Sequence, residues 1–214
     1  MTTALDRASL WSLIHHERAC LAADLDSVDA EDWRESSLCP GWTVEDVVAH
    51  LTAVATLGRW RWLTSMVGAG FDADVHNRRR LLEQRGPTPG DTLRRFRAAI
   101  DLEVAPSGHT AAWLGEVIVH GADVRHPLGI QDSTSVQAAT EVARFFAQRD
   151  FTVDGRTRSR DLRLVATDGP FAVGTGPIVE GTTMALVMTM AGREPFVDRL
   201  SGPGVDVIRE RTAA

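Results

Sequence analysis

The sequence predicts a mainly α fold, a bundle of four helices followed by a small α+β unit. Three observations lead there. Four segments in the first 127 residues place apolar side chains at helical spacing, Pro and Gly clusters separate them, and beyond residue 150 the texture changes to short apolar runs around turns. The division falls near residue 130, with a helical unit over 1–130 and a smaller one over 131–214. At 214 residues and 43% hydrophobic composition, the chain has enough apolar material to bury a core.

Residues 4–28 carry Leu10, Leu13, Ile14, Cys20, Leu21, Leu25 and Val28 in a helical rhythm. His15 and His16 lie within it, but neighbours on a helix point about 100° apart, so the two cannot serve one site and read as surface residues. Cys39-Pro40-Gly41-Trp42 marks a turn, and Thr43 is a good N-cap with Glu45 and Asp46 in the first turn behind it. The second helix follows, with Val44, Val47, Val48, Leu51 and Val54 on its apolar stripe and His50 inside that stripe. A lone histidine in such a place is usually a satisfied core residue; it is also an available imidazole ligand.

Arg59-Trp60-Arg61-Trp62 reads as the end of the second helix with snorkelling arginines, and Asn77-Arg78-Arg79-Arg80 as a solvated basic face. Gly86-Pro87-Thr88-Pro89-Gly90-Asp91 breaks the chain before a third helix over 91–103, with Leu93, Phe96, Ile100 and Val104. Pro106-Ser107-Gly108 is another turn, and the fourth helix ends before Pro127. A fifth helix is expected over 134–148, with Val136, Val142, Phe145 and Phe146. Leu162–Gly174 reads as a hairpin of two short strands. The run from Val179 to Arg193 fits a helix closed by Gly192 or a buried strand, with the helix, capped near Thr182, preferred, and Val205–Ile208 reads as a returning strand.

The fourth helix holds the chemistry. Glu116 and His120 are four residues apart, so they stand one above the other on one face. Trp113, Val117 and Val124 share the spacing and turn that face toward a core. A carboxylate and an imidazole withdrawn from water need a reason, and a metal ion is one, since it favours ionised Glu and neutral His. The blander alternative is an i,i+4 hydrogen bond.

A net charge of −6 argues against nucleic acid or an anionic membrane as the main partner. No apolar run is long enough to span a bilayer, and Met-Thr-Thr-Ala-Leu-Asp-Arg lacks the build of a secretory signal. Cys20 and Cys39 make neither a disulfide framework nor a zinc ribbon. The expectation is a cytoplasmic protein, monomer or homodimer.

Cys39-Pro40-Gly41-Trp42-Thr43-Val44 leading to His50, then Glu116-x-x-x-His120, then Gly121-Ala122-Asp123-Val124-Arg125-His126-Pro127-Leu128-Gly129 together resemble the mycothiol-dependent maleylpyruvate isomerase family, within the DinB-like metal-binding four-helix bundles. The segment from Gly181 to Arg193 is similar to that family's small C-terminal domain. The resemblance implies a divalent metal, usually zinc, on two His and one Glu, with His50, Glu116 and His120 at the matching positions, and mycothiol as cosubstrate. It further implies a catalytic arginine in the C-terminal domain, for which Arg193 stands in a similar Gly-Arg context.

The chemistry of the residues agrees with that implication. Two imidazoles and one carboxylate leave a coordination position for water or substrate, as a catalytic rather than a structural zinc requires. Nickel or iron would suit the same donors. A thiol bound there is held as thiolate at neutral pH and can add to a small electrophile, reversibly in an isomerase or with displacement in a transferase. Asp123, one turn beyond His120, is placed to orient a ligand, and Arg193 or one of Arg78 to Arg80 to hold a substrate carboxylate. A metal-assisted hydrolase and a non-catalytic metal-binding or ligand-sensing protein are the competing functions.

Overall fold

The computed structural model describes residues 5–105 and 107–213; residue 4 of the first expected helix and Pro106 of the turn before the fourth lie outside them. The chain divides into two compact units, Asp6–Ser133 and Thr134–Ala214.

In the first unit, α1 (Arg7–Asp24), α2 (Val44–Thr56), α5 (Pro89–Ala98) and α6 (Thr110–Arg125) are the four helices expected from periodicity. They close a ring, because α1 and α2 each pack against both α5 and α6. Trp11, Ile14, Val47, Leu51, Phe96, Leu114 and Ile118 fill the interior. Arg18 crosses it to donate to the carbonyls of Ala99 (3.2 Å), Ile100 (3.1 Å) and Leu102 (2.9 Å), satisfying the frayed end of α5. Burial lowers its pKa to about 10. At Gly121 a Cβ would meet the Arg125 guanidinium at 3.0 Å, so the glycine lets Arg125 lie along α6 and bond Asp24 at 2.7 Å.

Two further helices stand between α2 and α5. Arg59–Trp62 does not end the second helix: the chain breaks at Leu57–Gly58 and restarts as α3 (Arg59–Gly68). The basic run lies on α4 (Ala73–Gln84), capped by Asp72. Only His76 and Leu81 of α4 are buried, too sparse a stripe for a periodicity argument, yet α4 packs along α2.

The second unit starts with α7 (Val136–Gln148), whose Ala138, Val142, Phe145 and Phe146 are buried, and α8 (Gly155–Ser159). The expected hairpin is present as β1 (Arg163–Ala166) antiparallel to β2 (Ala172–Val173). The next run splits into β3 (Ile178–Gly181), parallel to β1, and α9 (Thr183–Met190), with Thr182 accepting from Ala185 N at 3.2 Å. Sheet order is β2-β1-β3. Val205–Ile208 is not a strand but the first turn of α10 (Val205–Ala213), because Ile208 and Thr212 fall four apart on one buried face. No helix among the described residues is long and apolar enough to cross a membrane.

The start of α2, which carries His50, is fixed by a capping box: Asp46 N donates to Thr43 Oγ1, and Thr43 N to Asp46 Oδ2, both at 3.2 Å. Thr43→Ala should lower stability by about 1 kcal/mol in urea denaturation without changing the m-value.

Candidate metal centre

His50 on α2 and Glu116 and His120 on α6 meet inside the first unit, where the two helices pack. Glu116 Oε2 lies 3.5 Å from His50 Nε2 and 3.3 Å from His120 Nε2. Tetrahedral coordination at roughly 2.1 Å per donor puts neighbouring donors about 3.4 Å apart, so these separations suit a zinc-sized ion. All three donor atoms lie within 4.8 Å of one another. Side-chain exposures of 6% for His50, 15% for Glu116 and 14% for His120 leave the carboxylate and one imidazole reachable from outside. The sequence pairing of two distant segments is thus met in space.

The Cys39–Trp42 loop closes one side. Gly41, at φ +75, takes the third position of a turn in which Trp42 N donates to Cys39 O at 3.1 Å, behind Pro40. The turn sets the Trp42 ring 4.9 Å from His50 and 6.4 Å from His120, centre to centre. Leu38 N donates to Asp123 O at 3.2 Å, tying the loop to α6.

Behind His120 sits the fully buried Asp123. Its Oδ2 lies 3.0 Å from His120 Nδ1 and accepts from the Cys39 thiol at 3.0 Å, while Cys39 Sγ is 3.4 Å from the same Nδ1. With the Nδ1 proton given to Asp123, Nε2 faces Glu116 with a free lone pair, the tautomer a metal ligand needs. The sequence pointed to Asp123 through its spacing. It placed Cys39 in the turn before α2 but gave no sign of its contact with Asp123, which spans 84 residues.

Charge is unevenly held in this cluster. Burial pushes the Glu116 carboxyl up, but hydrogen bonds to His120 and His50 outweigh it and hold the group well below the usual carboxylate range. Burial also pulls His120 down, and its bonds to Asp123, Cys39 and Glu116 overcome that and raise it well above an ordinary histidine. His50 goes the other way, since burial dominates and favours its neutral form. Without an ion, a proton on His120 supplies the positive charge; a cation bound there displaces it.

Arg193, the arginine singled out in the C-terminal unit, follows the α9 stop at Gly192 (φ +83) and donates to Ala191 O at 2.8 Å. Arg79 donates to Gly68 O at 2.8 Å and Arg80 pairs with Glu83 at 2.7 Å.

A scan of family models matches residues 14–102. The matching family is described as the mycothiol maleylpyruvate isomerase N-terminal domain. The match contains His50 and ends before Glu116. Two solved structures, mycothiol-dependent maleylpyruvate isomerase and a histidine-to-alanine mutant of it, align at 16% identity over 94% of this chain and 96% of theirs, with TM-scores of 0.64 and 0.65. At that identity the likeness is one of fold. No curated protein matches the sequence.

The signs of these shifts set the pH response of chelator-treated protein. Glu116, depressed in the fold, contributes stability that is full above its unfolded pKa near 4.5 and lost as pH falls toward the folded value. The His120 contribution is full below about 6.5 and lost as pH rises through its raised pKa. Glu116→Gln should therefore cost about 1–3 kcal/mol at pH 6 and flatten the decline between pH 5 and pH 3. Equal acid limbs in wild type and variant would show that the carboxylate is not held by the two imidazoles.

Proposed function

We propose that this chain is a metal-dependent mycothiol transferase or isomerase acting on a small electrophile. The observation that carries this reading is the 3.3–3.5 Å spacing of two imidazole nitrogens about one carboxylate oxygen, beside a domain of the mycothiol maleylpyruvate isomerase type. His50, Glu116 and His120 would hold a divalent cation, zinc by preference of the N,N,O donor set, with nickel and iron as other occupants. Such a cation supplies one thing, the acidity of a bound thiol at neutral pH.

The residues of the chain do the rest. Glu116 brings one negative charge, so a dication leaves the centre with a net positive charge that favours an anionic sulfur. Asp123 holds His120 by its Nδ1–H and keeps Nε2 aimed at the ion. The Trp42 ring covers the two imidazoles on the side of the Cys39–Trp42 loop and keeps water from that flank. Arg193 is proposed to hold a carboxylate of the electrophile through paired hydrogen bonds.

The purified protein should carry about one divalent metal per chain and consume mycothiol in the presence of a suitable electrophile. His50→Ala should lose the metal, and Asp123→Asn should bind it about 10–100-fold more weakly with the fold unchanged. Elemental analysis and metal competition read both. Full metal in His50→Ala would remove the ligand assignment. A loaded protein inert toward mycothiol across a panel of electrophiles would favour a hydrolase or a sensor instead. Arg193→Lys should keep the metal and raise the KM for a carboxylate-bearing electrophile at least about tenfold, since an ammonium cannot make the paired bond.

A further inference from the structure

Apolar exposure is concentrated on one helix pair of the first unit. Among the described residues, seven of the eleven large hydrophobic side chains left in solvent lie between Trp60 and Leu82, on α3, α4 and the turn that joins them. On α3, Trp60 (77% exposed), Leu63 and Val67 recur at intervals of three and four and so share one face, and α3 buries none of its residues. On α4, Val75 and Leu82 are seven apart, and Arg78 stands between them on the same face. Phe71, 70% exposed, belongs to the turn between the two helices. Single apolar residues scattered over a surface need no explanation, whereas a concentration of this kind marks a face that something covers.

The charge on the same helices says what that is. From Arg59 to Gln84 the chain carries five arginines against three carboxylates, although its net charge is −6. Arg79 and Arg80 are engaged within this segment, with Gly68 O and Glu83. The guanidinium groups of Arg59, Arg61 and Arg78 have no hydrogen bond or ion pair among the described residues. Arg59 and Arg61 flank Trp60 in the chain, and Arg78 lies in the apolar row of α4. A second copy docked face to face would set these cations against their own kind. An anionic occupant neutralises them, and one that also takes in aromatic and aliphatic side chains without a shaped socket is a lipid surface.

We propose that the α3–α4 pair docks on an anionic lipid surface, with Trp60, Leu63, Val67 and Phe71 entering the headgroup boundary and Arg59, Arg61 and Arg78 meeting the anionic headgroups. The acidic remainder of the chain opposes this contact, so the association is reversible and weakens with salt. It needs no spanning segment and is independent of what the metal centre does.

Cosedimentation with lipid vesicles tests it. The full chain is spun with vesicles of phosphatidylcholine alone and of phosphatidylcholine mixed with phosphatidylglycerol. Partition into the anionic vesicles should exceed that into the neutral ones at least about tenfold at low salt, and most of it should be lost at about 0.5 M salt. Arg59→Gln with Arg61→Gln should lower the partition coefficient about fivefold per arginine, and Trp60→Ser with Phe71→Ser at least about tenfold. Both double variants should unfold at the wild-type temperature, since all four side chains are exposed. A wild type that ignores anionic vesicles would overturn the proposal and leave the face to an acidic protein. Binding that survives both double variants would overturn it too, placing the contact elsewhere on the chain. So would a dimer, seen by sedimentation equilibrium, that Trp60→Ser dissociates, because a second copy then covers the face.

Discussion

A carboxylate withdrawn from water between two imidazoles constrains everything built around it. Glu116 has lost most of its hydration, and its charge is retained only because His50 and His120 approach it at 3.5 and 3.3 Å. Those approaches demand that α2 and α6 pack with their donor-bearing faces together. The capping box at Thr43 fixes where α2 begins, and the close course of Arg125 over Gly121 braces the far end of α6. The apolar core of the bundle is thus also the alignment device of the site.

The chain behind the imidazoles resolves a conflict that the three donors leave open. A histidine facing a carboxylate gains most by being charged, whereas a metal ligand must offer a lone pair. Asp123 serves both states, because its Oδ2 accepts a hydrogen bond from the Nδ1–H of His120 whether Nε2 bears a proton or a cation. The Cys39 thiol donates to the same oxygen, so that buried oxygen is paired twice and the loop bearing Trp42 is anchored to α6 by the same contact. Exchange of a proton for a cation then requires no rearrangement of the shell behind His120.

The legible parts of the sequence were those with strong local rules. His50, Glu116 and His120 lie on helices with dense apolar stripes, and two of them share a helix at the spacing that fixes their geometry. Asp123 could be seen for the same reason, one turn along. The contact of Cys39 with Asp123 could not, since it is made across the bundle and no local period encodes it. His76 sat in a basic stretch whose helix buries only two residues, and so gave no amphipathic signal. Val205–Ile208 failed on length, as four residues fit a strand or a helical turn equally until the four-residue spacing of Ile208 and Thr212 is considered.

Every donor considered for the ion, and every residue that orients one, lies within Asp6–Ser133. A cation held by these donors would therefore depend on the first unit, whose fold and donor spacing are mutually dependent. Arg193, proposed above as a contact for a substrate carboxylate, is not among the three donors and contributes nothing to their spacing. A bundle of this kind can then keep the spacing of its buried donors while side chains elsewhere diverge, and a likeness at 16% identity speaks to that fold alone.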